Sequence, residues 1–133
     1  MKLPEPAQLE RIRGSDQWRV VNDFTVVLDD GRSITVPHGF ITDKASVPRA
    51  VWWLIPRDDK YIVDGALIHD NLYLHQKIEG HWISRLEADK ILRDIAKHVG
   101  MGWLKRKAVY RAVRLGGWVS FNPVAKKLDN PYG

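Results

Sequence analysis

Ile62-Val63-Asp64-Gly65-Ala66-Leu67-Ile68-His69-Asp70-Asn71-Leu72-Tyr73-Leu74-His75-Gln76, followed shortly by Ser84-Arg85-Leu86-Glu87-Ala88-Asp89, is the stretch that decides the fold. Ile62, Ala66, His69, Tyr73 and Gln76 recur at spacings of three and four, and Leu67, Leu74 and Ile78 widen the apolar face. This is helical periodicity. Asp58-Asp59 place acids at the positive end of that helix, which is expected to run to about Lys77 and to break at Glu79-Gly80-His81. Ser84 and Glu87 have capping-box spacing. They open a second helix, which runs to about Val99 with Leu86, Ile91, Leu92, Ile95 and Val99 facing a core. Gly100 and Gly102 end it, and a third helix is expected from Trp103 to about Leu115.

Upstream the period changes to two. Trp18, Val20, Phe24, Val26 and Leu28 alternate roughly with polar residues, Asp29-Asp30-Gly31 reads as a turn, and Ser33–Val36 follows. An Asp-Gly pair between such runs is a hairpin signal. Phe40-Ile41-Thr42 is a possible third short strand. Pro48 can start a short helix over 49–55, which Pro56 ends. The expected fold is α+β: a small antiparallel sheet over about 17–42, then a helical hairpin and a third helix. Residues 1–14 read as an arm over one domain, and 117–133 as a tail.

Composition narrows the classes of function. The chain has 133 residues, 44% hydrophobic and 28% charged, which is a globular balance for one domain. It contains no cysteine, so disulfides and thiolate chemistry are excluded. The longest apolar run, Ala50 to Ile55, is far short of the ~20 residues of a membrane span. The start, Met1-Lys2-Leu3-Pro4-Glu5-Pro6, has no apolar core of a signal peptide. Net charge is +5, and Lys97, Lys105, Arg106, Lys107, Arg111 and Arg114 share a segment without acids. That favours an anionic neighbour, or simply a solvated helix face.

The chemistry lies in the helical hairpin. If the first helix ends near Lys77 and the second begins near Arg85, Tyr73 lies level with Asp89. His69 is then one turn away, about 6 Å along the axis. A carboxylate, a phenol and an imidazole can converge there. An Asp on one imidazole nitrogen fixes the tautomer and leaves the other nitrogen as a general base. The same cluster also reads as a buried polar network that only fixes helix packing. Asp70 points to a neighbouring face and can bind a hard cation through oxygen. His75 and His81 flank the hairpin turn and with His69 suggest a zinc site, a weaker candidate because His69 and His75 fall on different helix faces and the H-E-x-x-H spacing is missing.

His69-Asp70-x-x-Tyr73 with Ala88-Asp89 resembles the secreted and parvoviral phospholipase A₂ superfamily over about residues 64–89. The resemblance implies His69 as the base that activates water, Asp70 as a calcium ligand, and Tyr73 and Asp89 as supports. Asp64 also sits where the parvoviral pattern has an Asp. The glycine-rich calcium loop of that superfamily has no counterpart of the usual form here. A wider resemblance covers about residues 18–117, through Val36 to Arg49, His69-Asp70-x-x-Tyr73 and Arg85 to Asp89. It is to a tailed-phage and prophage family catalogued as domain of unknown function 1353. It implies a phage origin and a setting in a virion or the host cytoplasm. Within it, Thr42, Asp43 and Ser46 lie between sheet and helices. Asp43 and Ser46 either cap the next helix or replace the missing loop, with Asp43 and backbone carbonyls near Asp70.

Three functions follow as expectations. One is a calcium-dependent hydrolase of phospholipid or another acyl ester at the cell envelope, in contact with anionic membrane. Another is a non-enzymatic tail or connector component contacting other virion proteins. The third, nucleic-acid binding by the basic third helix, rests on charge alone without a helix-turn-helix signature.

Overall fold

The computed structural model describes residues 1–15, 17–42 and 62–116. The short helix expected over 49–55, the Asp58-Asp59 helix start, Asp43, Ser46 and the tail lie outside the described residues. In chain order the elements are β1 (Leu9–Arg11), β2 (Trp18–Val20), β3 (Phe24–Val27), β4 (Ser33–Val36), β5 (Ile41–Thr42), α1 (Val63–His75), β6 (Lys77–Ile78), β7 (His81–Trp82), α2 (Arg85–His98) and α3 (Trp103–Gly116). This is an α+β architecture, with two small antiparallel sheets before the helices and a two-stranded one between α1 and α2.

The β region contains two sheets. β3 and β4 form a hairpin with Phe24 opposite Val36 and Val26 opposite Ile34. These four side chains are buried, while Thr25 and Thr35 face out with their hydroxyls 2.8 Å apart. The alternation is what a sheet with one wet face requires. Gly31 adopts φ +91° in the turn, which closes through Leu28 N–H to the Arg32 carbonyl at 2.8 Å. The second sheet has the order β1-β2-β5, all antiparallel. Its outer strand comes from the N-terminal arm, where the sequence indicates no strand. Lys2 also bridges to Val27, and Met1, Leu3, Ala7 and Leu9 pack on the core. The arm thus covers the core and completes a sheet edge. Its strand is only three residues long and lacks clean alternation, which hid it.

α1 ends at His75, two residues earlier than expected. Gln76 takes a left-handed conformation (φ 60°), and its N–H bonds the Leu72 carbonyl. Residues 77–82 then form a hairpin of their own, which the sequence reading treats only as a break. Its central residues Glu79 and Gly80 both have positive φ, 51° and 82°. This is the two-residue turn that matches strand twist. Glu79 holds that conformation while its carboxylate accepts from the Ser33 N–H at 3.0 Å and from the Ser33 hydroxyl at 3.2 Å. The turn is thereby tied to β4.

α1 is buried on several sides, which blurs the single-stripe reading. Leu67, Ile68, Leu72 and Tyr73 join the strand residues in one core, while Ile62 and Ala66 join Leu92, Ala96, Met101, Val109 and Val113 in a second. A helix apolar on more than one side is an interior helix. Leu74, expected to widen the apolar face, is instead 62% exposed. Close approach of α1 to α2 is set at Gly65, where an added Cβ would lie 2.9 Å from Leu92 Cδ1. α2 begins as its capping box indicates, with Ser84 Oγ accepting from the Glu87 N–H at 3.1 Å. The Glu87 side chain bonds Arg32 at 2.5 Å, so it joins helix to sheet. No helix among the described residues is long and apolar enough to cross a membrane.

The two leucines provide a test of these helix faces. Leu92→Ala is expected to cost about 2–5 kcal/mol through lost burial and a cavity. Leu74→Ala should cost less than about 0.5 kcal/mol, as for an ordinary surface position. Urea melts measure both, and equal losses would contradict the assigned faces.

Candidate functional site

Three helices meet around the Asp89 carboxylate. α1 carries His69 and Tyr73 one turn apart, and α2 runs antiparallel to it with Asp89 opposite. His69 Nε2 lies 2.6 Å from Asp89 Oδ1, and the Tyr73 hydroxyl donates to the same oxygen. The His69 and Tyr73 rings are 4.0 Å apart between centroids. On the other oxygen, Oδ2, Arg114 donates from α3 at 2.9 Å and Arg85 from α2 at 3.4 Å. His69 and Asp89 have no exposed surface.

The donors define the proton positions. A carboxylate oxygen accepts, so Nε2 carries a hydrogen, and in the neutral imidazole Nδ1 then presents a lone pair. Nδ1 is buried and has no hydrogen-bond partner among the described residues. An acceptor buried in that state is uncommon and calls for a water or another donor. Burial, with the adjacent Asp89 charge adding to it, pushes the Tyr73 phenol well above its ordinary range. Tyr73 therefore remains a neutral donor to Asp89.

Of the remaining expected site residues, Arg85 belongs to this cluster, while Asp64 and Thr42 have partners elsewhere. Arg85 is nearly buried, and besides Asp89 it reaches the Val113 and Arg114 carbonyls at 3.3 and 3.1 Å. It thereby reaches carbonyls in the last turn of α3. Asp64 accepts from the Ala7 N–H at 3.1 Å, tying the arm to α1. Burial raises the Asp64 carboxyl above the usual carboxylate range, with the Ala7 bond opposing it. Thr42 ends β5, paired with Trp18, and is buried in the sheet. Asp70 is half-buried on α1. No group of three or more His, Asp or Glu that could hold a metal occurs among the described residues. His75 and His81 are both exposed.

Arg114 is the member the sequence reading missed, because it reads there as part of a basic solvated face. A signal was present. The short turn between His98 and Trp103 sets positions summing to about 201 level across α2 and α3, which puts Asp89 opposite the last turns of α3.

This arrangement falls largely within one recognisable domain. Residues 18–113 match the family model described as Protein of unknown function (DUF1353), and the chain belongs to that family. His69, Tyr73, Arg85 and Asp89 lie inside the matched span, and Arg114 follows it directly. No curated protein and no solved structure matches the chain.

Removal of the Asp89 charge should be costly. Asp89→Asn presents an amide where two guanidiniums, a phenol and an imidazole converge, and a loss of about 3–5 kcal/mol is expected. Chemical denaturation measures it. A loss below about 1 kcal/mol would mean that the network contributes little to folding.

Proposed function

We propose that the protein is a hydrolase that activates water on His69 and acts on a phospholipid or another acyl ester at the cell envelope. The observation that carries this reading is the division of labour on one ring: Nε2 is held by Asp89, while Nδ1 is buried without a partner among the described residues. A water donating to Nδ1 would pass a proton there as its oxygen attacks the acyl carbon. The imidazolium would be stabilised by Asp89, and Nδ1–H would then protonate the leaving alkoxide. Tyr73 would keep Asp89 oriented. The likeness of His69-Asp70-x-x-Tyr73 and Asp89 to the phospholipase A₂ pattern supports the same assignment. Asp70, with Asp43 and nearby carbonyls, would hold a calcium ion that polarises the ester. Because Asp70 belongs to no metal-ligating cluster among the described residues, this part of the proposal depends on the residues around Asp43. A phage setting, with virion proteins or an anionic membrane as neighbours, belongs to the same proposal.

A second reading is favoured by two observations. His69 is wholly buried, and Arg85 links Asp89 to the end of α3. The protein would then be a non-enzymatic phage structural component in which the cluster pins the helices.

Fatty-acid release from mixed anionic vesicles, with and without calcium, separates the two. The hydrolase reading expects release by the parent, its loss in His69→Asn and Asp70→Asn, and inhibition by chelation. The structural reading expects no release by any form and a stability loss in His69→Asn of about 1–3 kcal/mol from unpaired partners.

A further inference from the structure

α3 has two faces of different character. Val109 and Val113 are 1% and 0% exposed and pack on α1 and α2. On the opposite side Leu104, Arg111 and Leu115 fall within about 40° of one another at 3.6 residues per turn. Leu104 is 72% exposed and Leu115 81%. Trp103, 61% exposed, and Lys107 flank this line, with the Lys107 ammonium 5.2 Å from the Trp103 ring centroid. Lys105 is also exposed. The sequence has no acidic residue between Asp94 and Asp129, so no carboxylate within α3 or its flanks offsets this charge.

We propose that this outer face of α3 is a docking surface for an anionic lipid bilayer. It presents the two components that interfacial binding needs. Leu104, Leu115 and Trp103 offer apolar volume to the boundary between headgroups and acyl chains. Lys105, Lys107 and Arg111 offer positive charge to the headgroups. Trp is suited to that boundary because its ring is apolar and its N–H polar. The long basic side chains extend past the apolar ones and keep their charged ends in water. Nucleic acid is the poorer fit. Its affinity comes from phosphate contacts, and the most exposed residues on this line are leucines, which make none. The inference rests on the envelope-acting part of the proposed function and not on its chemistry.

Vesicle flotation tests it without any turnover. Phosphatidylcholine vesicles with and without phosphatidylglycerol are mixed with the parent, with Leu104→Ser/Leu115→Ser, with Lys105→Ala/Lys107→Ala/Arg111→Ala, and with His69→Asn. All substituted docking positions are exposed, so melting temperatures should stay near the parent's. The parent is expected to float with anionic vesicles and much less with neutral ones. The triple variant should lose roughly a hundredfold in partitioning, at about fivefold per basic side chain. The leucine variant should lose about tenfold or more. His69→Asn should bind if its fold is retained. Binding with no hydrolysis by the parent would sink the proposed chemistry and keep this surface. Hydrolysis of a soluble ester without flotation would do the reverse. Failure of the parent to float would overturn the inference, as would equal flotation of the leucine variant. So would tight binding of the parent to duplex DNA, unchanged in the leucine variant, together with no flotation.

Discussion

A carboxylate removed from water costs several kcal/mol unless donors surround it, and Asp89 is such a group, with no exposed surface. Its partners come from each of the three described helices: His69 and Tyr73 from α1, Arg85 from α2 itself, and Arg114 from α3. The helices can settle only where all four donors reach it. That requirement fixes the register of α1 against α2 and brings the end of α3 to the same point. The apolar contacts around it fit the same arrangement, with Leu92 and Ile95 fully buried and Leu92 seated where Gly65 leaves room.

The two oxygens of Asp89 carry different loads. Oδ1 takes the imidazole and the phenol, and so sets the hydrogen on His69 Nε2. Oδ2 takes both guanidiniums, and so joins the network to the last turn of α3 through Arg85 and Arg114. The fold-stabilising half and the half that orients His69 share a single carboxylate. Helix packing and the orientation of His69 therefore depend on the same group, and a substitution at Asp89 is expected to disturb both.

Much of this was readable in the sequence because helical spacing is rigid. Once Ser84 and Glu87 mark the start of a helix, the level of Asp89 against Tyr73 follows from 1.5 Å per residue. The alternation in Phe24–Val27 and Ser33–Val36, with Asp30-Gly31 between them, marks a hairpin for a similar reason. Less was readable where structure depends on distant partners. β1 exists because β2 offers an edge, and Leu9–Arg11 shows little of it locally. The 77–82 hairpin depends on Glu79, a residue rarely given positive φ, which the Ser33 contacts accompany. Leu74 looks like part of an apolar stripe but points outward, because α1 is enclosed on other sides. Arg114 looks like one more surface charge until α3 is folded back on α2.

The central claim is that Asp89 fixes His69 with its hydrogen on Nε2 and a lone pair on a buried Nδ1. Nitrogen-15 spectra of imidazole-labelled protein read this directly, with His69→Asn assigning the signals. The account predicts that near neutral pH the His69 Nε2 resonance is of the protonated type, with slow hydrogen exchange, and Nδ1 of the unprotonated type. A proton on Nδ1, or a ring averaging rapidly between tautomers, would contradict it.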